Sequence, residues 1–164
     1  MPRYLKYFVL SLVFILVGSE IFLRKVYGLT DAVLFREDED FEYIPLPQNR
    51  LRFKNNVFYN SLSQRNREIA STDSVILGFG DSVLNGGVQV RQDSLVTEKL
   101  SQHFSELSNR KVLFTNISAP SWGPDNCFAY LKKHGNFGSK QILLFVSSHD
   151  AYDNMTFDKV VGAH

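Results

Sequence analysis

The stretch Tyr4–Leu23, YLKYFVLSLVFILVGSEIFL, limits what this chain can be more than any other feature. As a helix rising about 1.5 Å per residue, about twenty residues cover about 30 Å, the thickness of a bilayer's hydrocarbon core. Lys6 near one end can reach the headgroups, and Glu20 lies near the other end, where an acid costs less than at the centre. A continuous apolar run of this length at the head of the chain does not suit a buried core helix. A cleaved signal peptide is the competing reading. It needs small residues at the cleavage site, and Val17-Gly18-Ser19 supplies them only weakly. The expectation is a single-pass membrane protein held in the lipid bilayer through residues 4–23. Arg3 and Lys6 flank one end and Arg24 and Lys25 the other, a near balance that leans to an N-terminus inside and an extracytoplasmic bulk.

The 164 residues leave room for one further domain of ordinary size. Basic residues number 18 and acidic residues 17, so no positive excess exists to draw a nucleic-acid backbone, and a nucleic-acid partner is not expected. The single cysteine, Cys127, excludes an internal disulfide framework and a Cys-cluster zinc site; neither a metal nor a cofactor is expected. The chain divides into an anchor over 1–25, a juxtamembrane extension over 26–70, and a domain over 71–164. In the extension the run Arg36-Glu37-Asp38-Glu39-Asp40 cannot pack in a core, and Pro45 and Pro47 punctuate the residues just after it. Leu51, Phe53, Val57 and Tyr59 predict short extended pieces, with a hairpin turning at Asn55-Asn56.

After Thr72 the texture changes. Ser74–Phe79 is a short apolar run ended by Gly80, the mark of a buried strand. Gln92–Leu107 predicts a helix with Asp93 as N-cap and Leu95, Leu100, Phe104 and Leu107 on its inner face. Lys111–Ile117 reads as a second strand. Asp125–His134 reads as a second helix, with Phe128 and Leu131 facing inward and Gly135 just past its end. Gln141–Val146 is a third strand. This alternation predicts an α/β fold, a three-layer doubly wound parallel sheet preceded by one transmembrane helix. Ligands in such sheets sit at the carboxyl ends of the strands. Three polar segments are therefore expected to converge: Gly80-Asp81-Ser82, Asn116 to Gly123, and Ser147-Ser148-His149-Asp150.

Gly78-Phe79-Gly80-Asp81-Ser82 after a buried strand resembles the first block of the SGNH/GDSL serine hydrolases, a flavodoxin-like α/β family. The resemblance implies that Ser82 is the nucleophile. The family's second block maps onto Asn116–Gly123, with Ser121 or Gly123 near its glycine. Its third block, Gly-x-Asn-Asp, reads Ser147-Ser148-His149-Asp150 here, so His149 stands where the family has an oxyanion-stabilising asparagine. The family's Asp-x-x-His block is not in the sequence; Asp158 with His164 has the wrong spacing. The resemblance covers about residues 70–150 and implies an ester hydrolase or acyltransferase whose substrate is an ester or an acylated envelope glycan. Without that block the chain is expected to be inactive or weakly active, and to be a fragment or the product of a shortened gene.

A serine hydroxyl needs a base to become a nucleophile, and the tetrahedral oxyanion needs donors aimed at it. His149 can donate from a protonated nitrogen, or serve as the base beside Asp150. Gly80 and Asp81 shape the turn, and Asn85 and Asp150 are candidates for contact with substrate. Each reading has a plainer rival. Ser82 can be only a helix N-cap, Asp81 a hydrogen-bonding turn residue, and Trp122 a packed aromatic rather than a sugar platform. Gly78-x-Gly80 invites a dinucleotide reading, but Val83 occupies the third glycine position and no acidic residue ends the second strand. A non-catalytic, membrane-anchored protein that binds a glycan or a partner is the alternative function.

Overall fold

The computed structural model describes residues 2–150 and 152–154. Its first element is α1 (Arg3–Lys25), in which an 18-residue stretch has a mean hydropathy of 1.9, and none of its residues is buried. It is one N-terminal helix long and apolar enough to cross a membrane. Arg24 and Lys25 in its last turn complement the negative end of the helix dipole, and Gly28, at φ +70°, lets the chain turn away.

Two antiparallel hairpins come next, β1 (Phe35–Asp38) with β2 (Glu42–Pro45), and β3 (Gln48–Arg52) with β4 (Asn55–Tyr59). The acidic run forms β1 and its turn at the surface, where Lys133 pairs with Asp38 and Asp40 at 2.9 and 2.8 Å. Beyond it Phe41, Tyr43 and Ile44 enter the main core, so the extension helps to build the domain. The second hairpin turns at Phe53-Lys54, with Arg52 opposite Asn55, and not at Asn55-Asn56. Phe53 and Lys54 both take positive φ, a left-handed conformation that costs about 1–2 kcal/mol per non-glycine residue. Contacts at both ends of the turn hold it: the Lys54 N–H donates to Tyr27 O at 2.9 Å, and Asn55 Nδ2 donates to Val88 O at 2.9 Å.

The parallel sheet is centred on β5 (Ser74–Gly80). One edge pairs with β6 (Val112–Phe114) and then β7 (Ile117–Ser118) in one register, Ser74 opposite Val112 and Phe79 opposite Ile117. The predicted second strand is thus interrupted at Thr115-Asn116, where Asn116 exchanges hydrogen bonds with residues 65 and 66 instead. The other edge pairs with β8 (Ile142–Leu144). The structure is mixed α/β with a parallel sheet.

Two helix expectations need correction. Asp93 lies in a 3₁₀ turn (Gln92–Ser94), and buried Leu95, in an extended conformation, separates that turn from α3 (Val96–Ser108). The face of α3 toward the sheet carries Thr97, Ser101 and Ser105, while Leu107 is 70% exposed. The reason is that β6 presents edge N–H groups. Ser105 Oγ accepts from Val112 N–H at 2.9 Å, and Ser101 Oγ from Phe114 N–H at 2.8 Å. In α4 (Pro124–His134), Asn126, Cys127 and Tyr130 are buried, and Phe128 is 67% exposed. β8 is apolar but uncovered: Ile142, Leu143 and Leu144 are each close to half exposed.

The core lies between the sheet, α4 and the first hairpin. Trp122 is buried, edge-on to Phe41 at 5.6 Å, with Nε1 donating to Tyr43 O at 2.9 Å, so it is a packed aromatic. Tyr130 stacks on His134 at 4.3 Å. Burial, and then the neighbouring Lys133 charge, hold His134 below the ordinary histidine value of 6.5. The unfolded chain therefore binds a proton that the folded chain resists. Stability from this site is present above pH 6.5 and is lost as pH falls through the lower folded value. Urea denaturation between pH 8 and 5 is expected to show this loss, and His134→Phe is expected to flatten that part of the profile.

Candidate functional site

The strand ends do converge at one edge of the sheet. Gly80 closes β5 where a Cβ would sit 2.9 Å from Leu84 Cβ, so glycine is needed for the close return of the chain. Asp81 is buried and caps α2 (Ser82–Asn85), its carboxylate accepting from Val83 N–H at 2.8 Å. Ser82 opens α2 with its side chain exposed, and its hydroxyl is engaged by no protein group among the described residues. Gly86 and Gly87, at φ +72° and +54°, turn the chain out of α2.

From the third strand end, Ser147 reaches across to the first. Its hydroxyl lies 2.7 Å from Asp150 Oδ1 and 3.1 Å from Asp81 Oδ2, and its N–H donates to Asp150 Oδ2 at 2.7 Å. Asp150 is therefore buried as a turn-closing group, and Ser147 bridges two carboxylates. His149 is exposed in that turn, with Nδ1 3.5 Å from Ser148 Oγ. From the second strand end, Ser121 sits half-buried at φ +55°. Gly123 caps α4, and its N–H donates to Asn126 Oδ1 at 2.8 Å. A Cβ on Gly123 would lie 2.6 Å from Asp153 O, so the chain after Asp150 passes directly over it. Asp158 and His164 lie outside the described residues.

Asn85 is buried, and its amide is engaged inside the protein. Nδ2 donates to Ser118 O at 3.1 Å and to Ser118 Oγ at 3.2 Å, and Oδ1 accepts from Tyr59 Oη at 3.1 Å. The Ser118 hydroxyl donates in turn to Asn116 Oδ1, and Asn116 Nδ2 to Leu84 O at 2.8 Å. This buried network ties the turn after Ser82 to the second strand end.

The sequence reading missed Arg65, which holds the network from below. Its guanidinium is wholly buried and donates to the carbonyls of Asn85, Gly87 and Val90, the last at 2.8 Å. Its N–H donates to Asn116 O at 2.8 Å, and its carbonyl accepts from Gln92 Nε2 at 3.1 Å. Burial lowers its affinity for the proton. The segment NSLSQRN over 60–66 has the composition of a solvated loop, so neither hydropathy nor periodicity signals it. Among the described residues no group of three or more His, Cys, Asp and Glu side chains could hold a metal ion.

Arg65→Met keeps most of the volume but leaves the carbonyls of Asn85, Gly87 and Val90 without their donor. A loss of about 2–4 kcal/mol is expected in chemical denaturation. Cys127 lies under the site, and its thiol is pushed up to about 12, first by burial and then by Asp150, Asp125 and Asp81. At pH 8 maleimide is expected to leave the native protein unlabelled and to modify Cys127 fully in denaturant.

Among known proteins, no family model matches this chain, and neither a curated protein nor a solved structure matches it.

Proposed function

We propose that this chain is a membrane-anchored protein of the serine ester hydrolase type, with Ser82 as its nucleophile. The observation that carries the reading is the placement of Ser82: an exposed hydroxyl at the carboxyl end of the central parallel strand. The chain leaves β5 toward β6 on one side, and after β7 it returns through α4 to β8 on the other side, so the strand order reverses at β5. In a doubly wound sheet that reversal of strand order opens the crevice where ligands bind, which favours the SGNH-like arrangement. The substrate class is an ester, with an O-acetylated envelope glycan fitting an extracytoplasmic domain anchored through residues 4–23.

In this chemistry the Ser82 oxygen attacks the ester carbonyl carbon. The C–O bond to the leaving alcohol breaks, and the serine proton passes through a base to that alcohol. Water then releases the acyl group. His149, exposed in the turn whose Ser147 reaches Asp81, is the candidate for oxyanion donor or, less directly, for base. Ser121 and Gly123, at the second strand end, are the further candidates to face the oxyanion. Gly123 must exchange its hydrogen bond to Asn126 before it can serve an oxyanion.

A specific observation favours the second reading, a non-catalytic protein that binds a glycan or a partner. Among the described residues no imidazole is hydrogen-bonded to Ser82, so a strong general base is not in place. One experiment separates the two. Hydrolysis of p-nitrophenyl acetate by the purified full chain is expected to exceed the buffer rate and to fall at least about tenfold in Ser82→Ala. A fluorophosphonate is expected to add its mass to the peptide containing Ser82. Equal rates in the two proteins, with no adduct, would show that Ser82 is not a nucleophile and leave the binding reading.

A further inference from the structure

Beyond the anchor, the β3–β4 hairpin is fastened to the end of α1. Lys54 N–H donates to Tyr27 O at 2.9 Å, and Arg52 Nη1 reaches Gly28 O at 3.4 Å. Asp31 accepts from Leu51 N–H at 2.8 Å and from Arg50 Nη1 at 2.9 Å. A Cβ on Gly28 would collide with Leu51 O, so glycine there permits the hairpin to come this close. At the tip the Phe53 ring meets the Tyr27 ring edge-on at 5.8 Å, with the Arg52 guanidinium 4.3 Å from the Phe53 centroid and Lys54 Nζ 6.0 Å from that of Tyr27.

Tyr27 stands four residues past Leu23, where the apolar run ends, or about 6 Å along the helix direction. That is the depth of the headgroup layer, where aromatic rings and long cationic side chains settle. The local carboxylates are already engaged: Glu20 pairs with Arg24, and Asp31 with Arg50. Lys25, Arg52 and Lys54 have no carboxylate partner among the described residues. The turn itself places an aromatic and a lysine at positive φ, where Asn-Gly would be unstrained.

We infer that the Arg52-Phe53-Lys54 tip is a second membrane contact, docked with Lys25 and Tyr27 among the headgroups of anionic phospholipids at the C-terminal end of α1. The inference rests on the anchoring reading. Its surface is continuous with the apolar helix, and its charge complements a phosphodiester layer. The consequence reaches the candidate site. Asn55, next after the tip, donates to Val88 O and Gln89 O at 2.9 and 3.1 Å, in the loop that leaves the Ser82 turn. The hairpin therefore sets the height and tilt of the site above the membrane.

The test uses the full chain in vesicles of phosphatidylcholine and phosphatidylglycerol at about seven to three, with Phe53→Trp adding an indole at the tip. The wild type, carrying buried Trp122 alone, supplies the baseline. Shallow brominated phosphatidylglycerol is expected to quench the added fluorescence about fivefold more effectively than brominated phosphatidylcholine. Adding Arg52→Gln and Lys54→Gln is expected to bring that ratio close to one, with the chain still retained in the vesicles after alkaline carbonate. Retention with no quenching above the baseline, or with equal quenching by the two lipids, would overturn the headgroup contact. Release by carbonate would instead overturn the anchor beneath it.

Discussion

A single buried guanidinium holds the polar half of this protein together. Among the described residues Arg65 has no carboxylate partner; its two terminal nitrogens donate to the carbonyls of Asn85, Gly87 and Val90, while its Nε is buried without a partner among them, and Gly86 and Gly87 bend the chain around it. Carbonyl dipoles solvate a charge without the geometric demands of an ion pair, but removing the charge leaves each of them buried and unpaired. The backbone of the same residue links the break between β6 and β7 to the 3₁₀ turn before α3. Arg65 thus joins the segment before the sheet, the turn carrying Ser82 and the second strand end. Any chemistry at that edge depends on this residue for its geometry, although Arg65 itself is buried and holds no exposed surface to a substrate.

The same economy of polar groups explains α3. A helix beside an open strand edge can satisfy that edge only with side chains that accept hydrogen bonds and are short enough to let the backbones approach. Ser101 and Ser105 do both, and Ser101 also returns its proton to Thr97 O at 2.7 Å. The apolar residues that periodicity assigns to the inner face are displaced outward as a result. At β8 no such device operates among the described residues, and its outer side remains apolar and open. A shallow groove of about 150 Å³ between β8 and α4 continues that surface, lined by Phe79, Cys127, Phe128 and Leu144 among others.

The elements legible in the residues are those set by hydropathy. α1, β5 and the C-terminal glycine of α4 lie where apolar runs and turn residues put them, because those elements are set by local composition. The parallel sheet was legible from apolar strands separated by helical spacing. The hairpin turn was not. Asn55-Asn56 has the better intrinsic preference for positive φ, but long-range bonds to Tyr27 and to Val88 draw Asn55 into the strand and push the bend onto Phe53-Lys54. Buried Asn60, Gln64, Arg65 and Asn66 were illegible for a related reason. Gln64, Arg65 and Asn66 find partners far along the chain, at Tyr130, Val90 and Asn116, and Asn60 closes the loop on Gln64 and Arg67; a polar residue carries no sequence mark that tells an internal partner from water.

The strand-end serines show how the candidate site is narrowed by hydrogen-bond accounting rather than by position alone. Ser82, Ser118 and Ser147 all stand at or just past the carboxyl end of a parallel strand. The hydroxyl of Ser118 is committed to Asn116, and that of Ser147 to the carboxylate of Asp150 at 2.7 Å. A hydroxyl has one proton, so each of these is spent on the framework. Either could become a nucleophile only by giving up a bond that fixes its strand end, buried for Ser118 and part-buried for Ser147. Ser82 has no such commitment among the described residues: Asp81 is the N-cap and accepts from Val83 N–H, so Ser82 falls one position inside α2, where its side chain points to the exposed face. Of the three strand-end serines it alone keeps its proton free of the framework, and hydrogen-bond accounting therefore selects Ser82 where position does not.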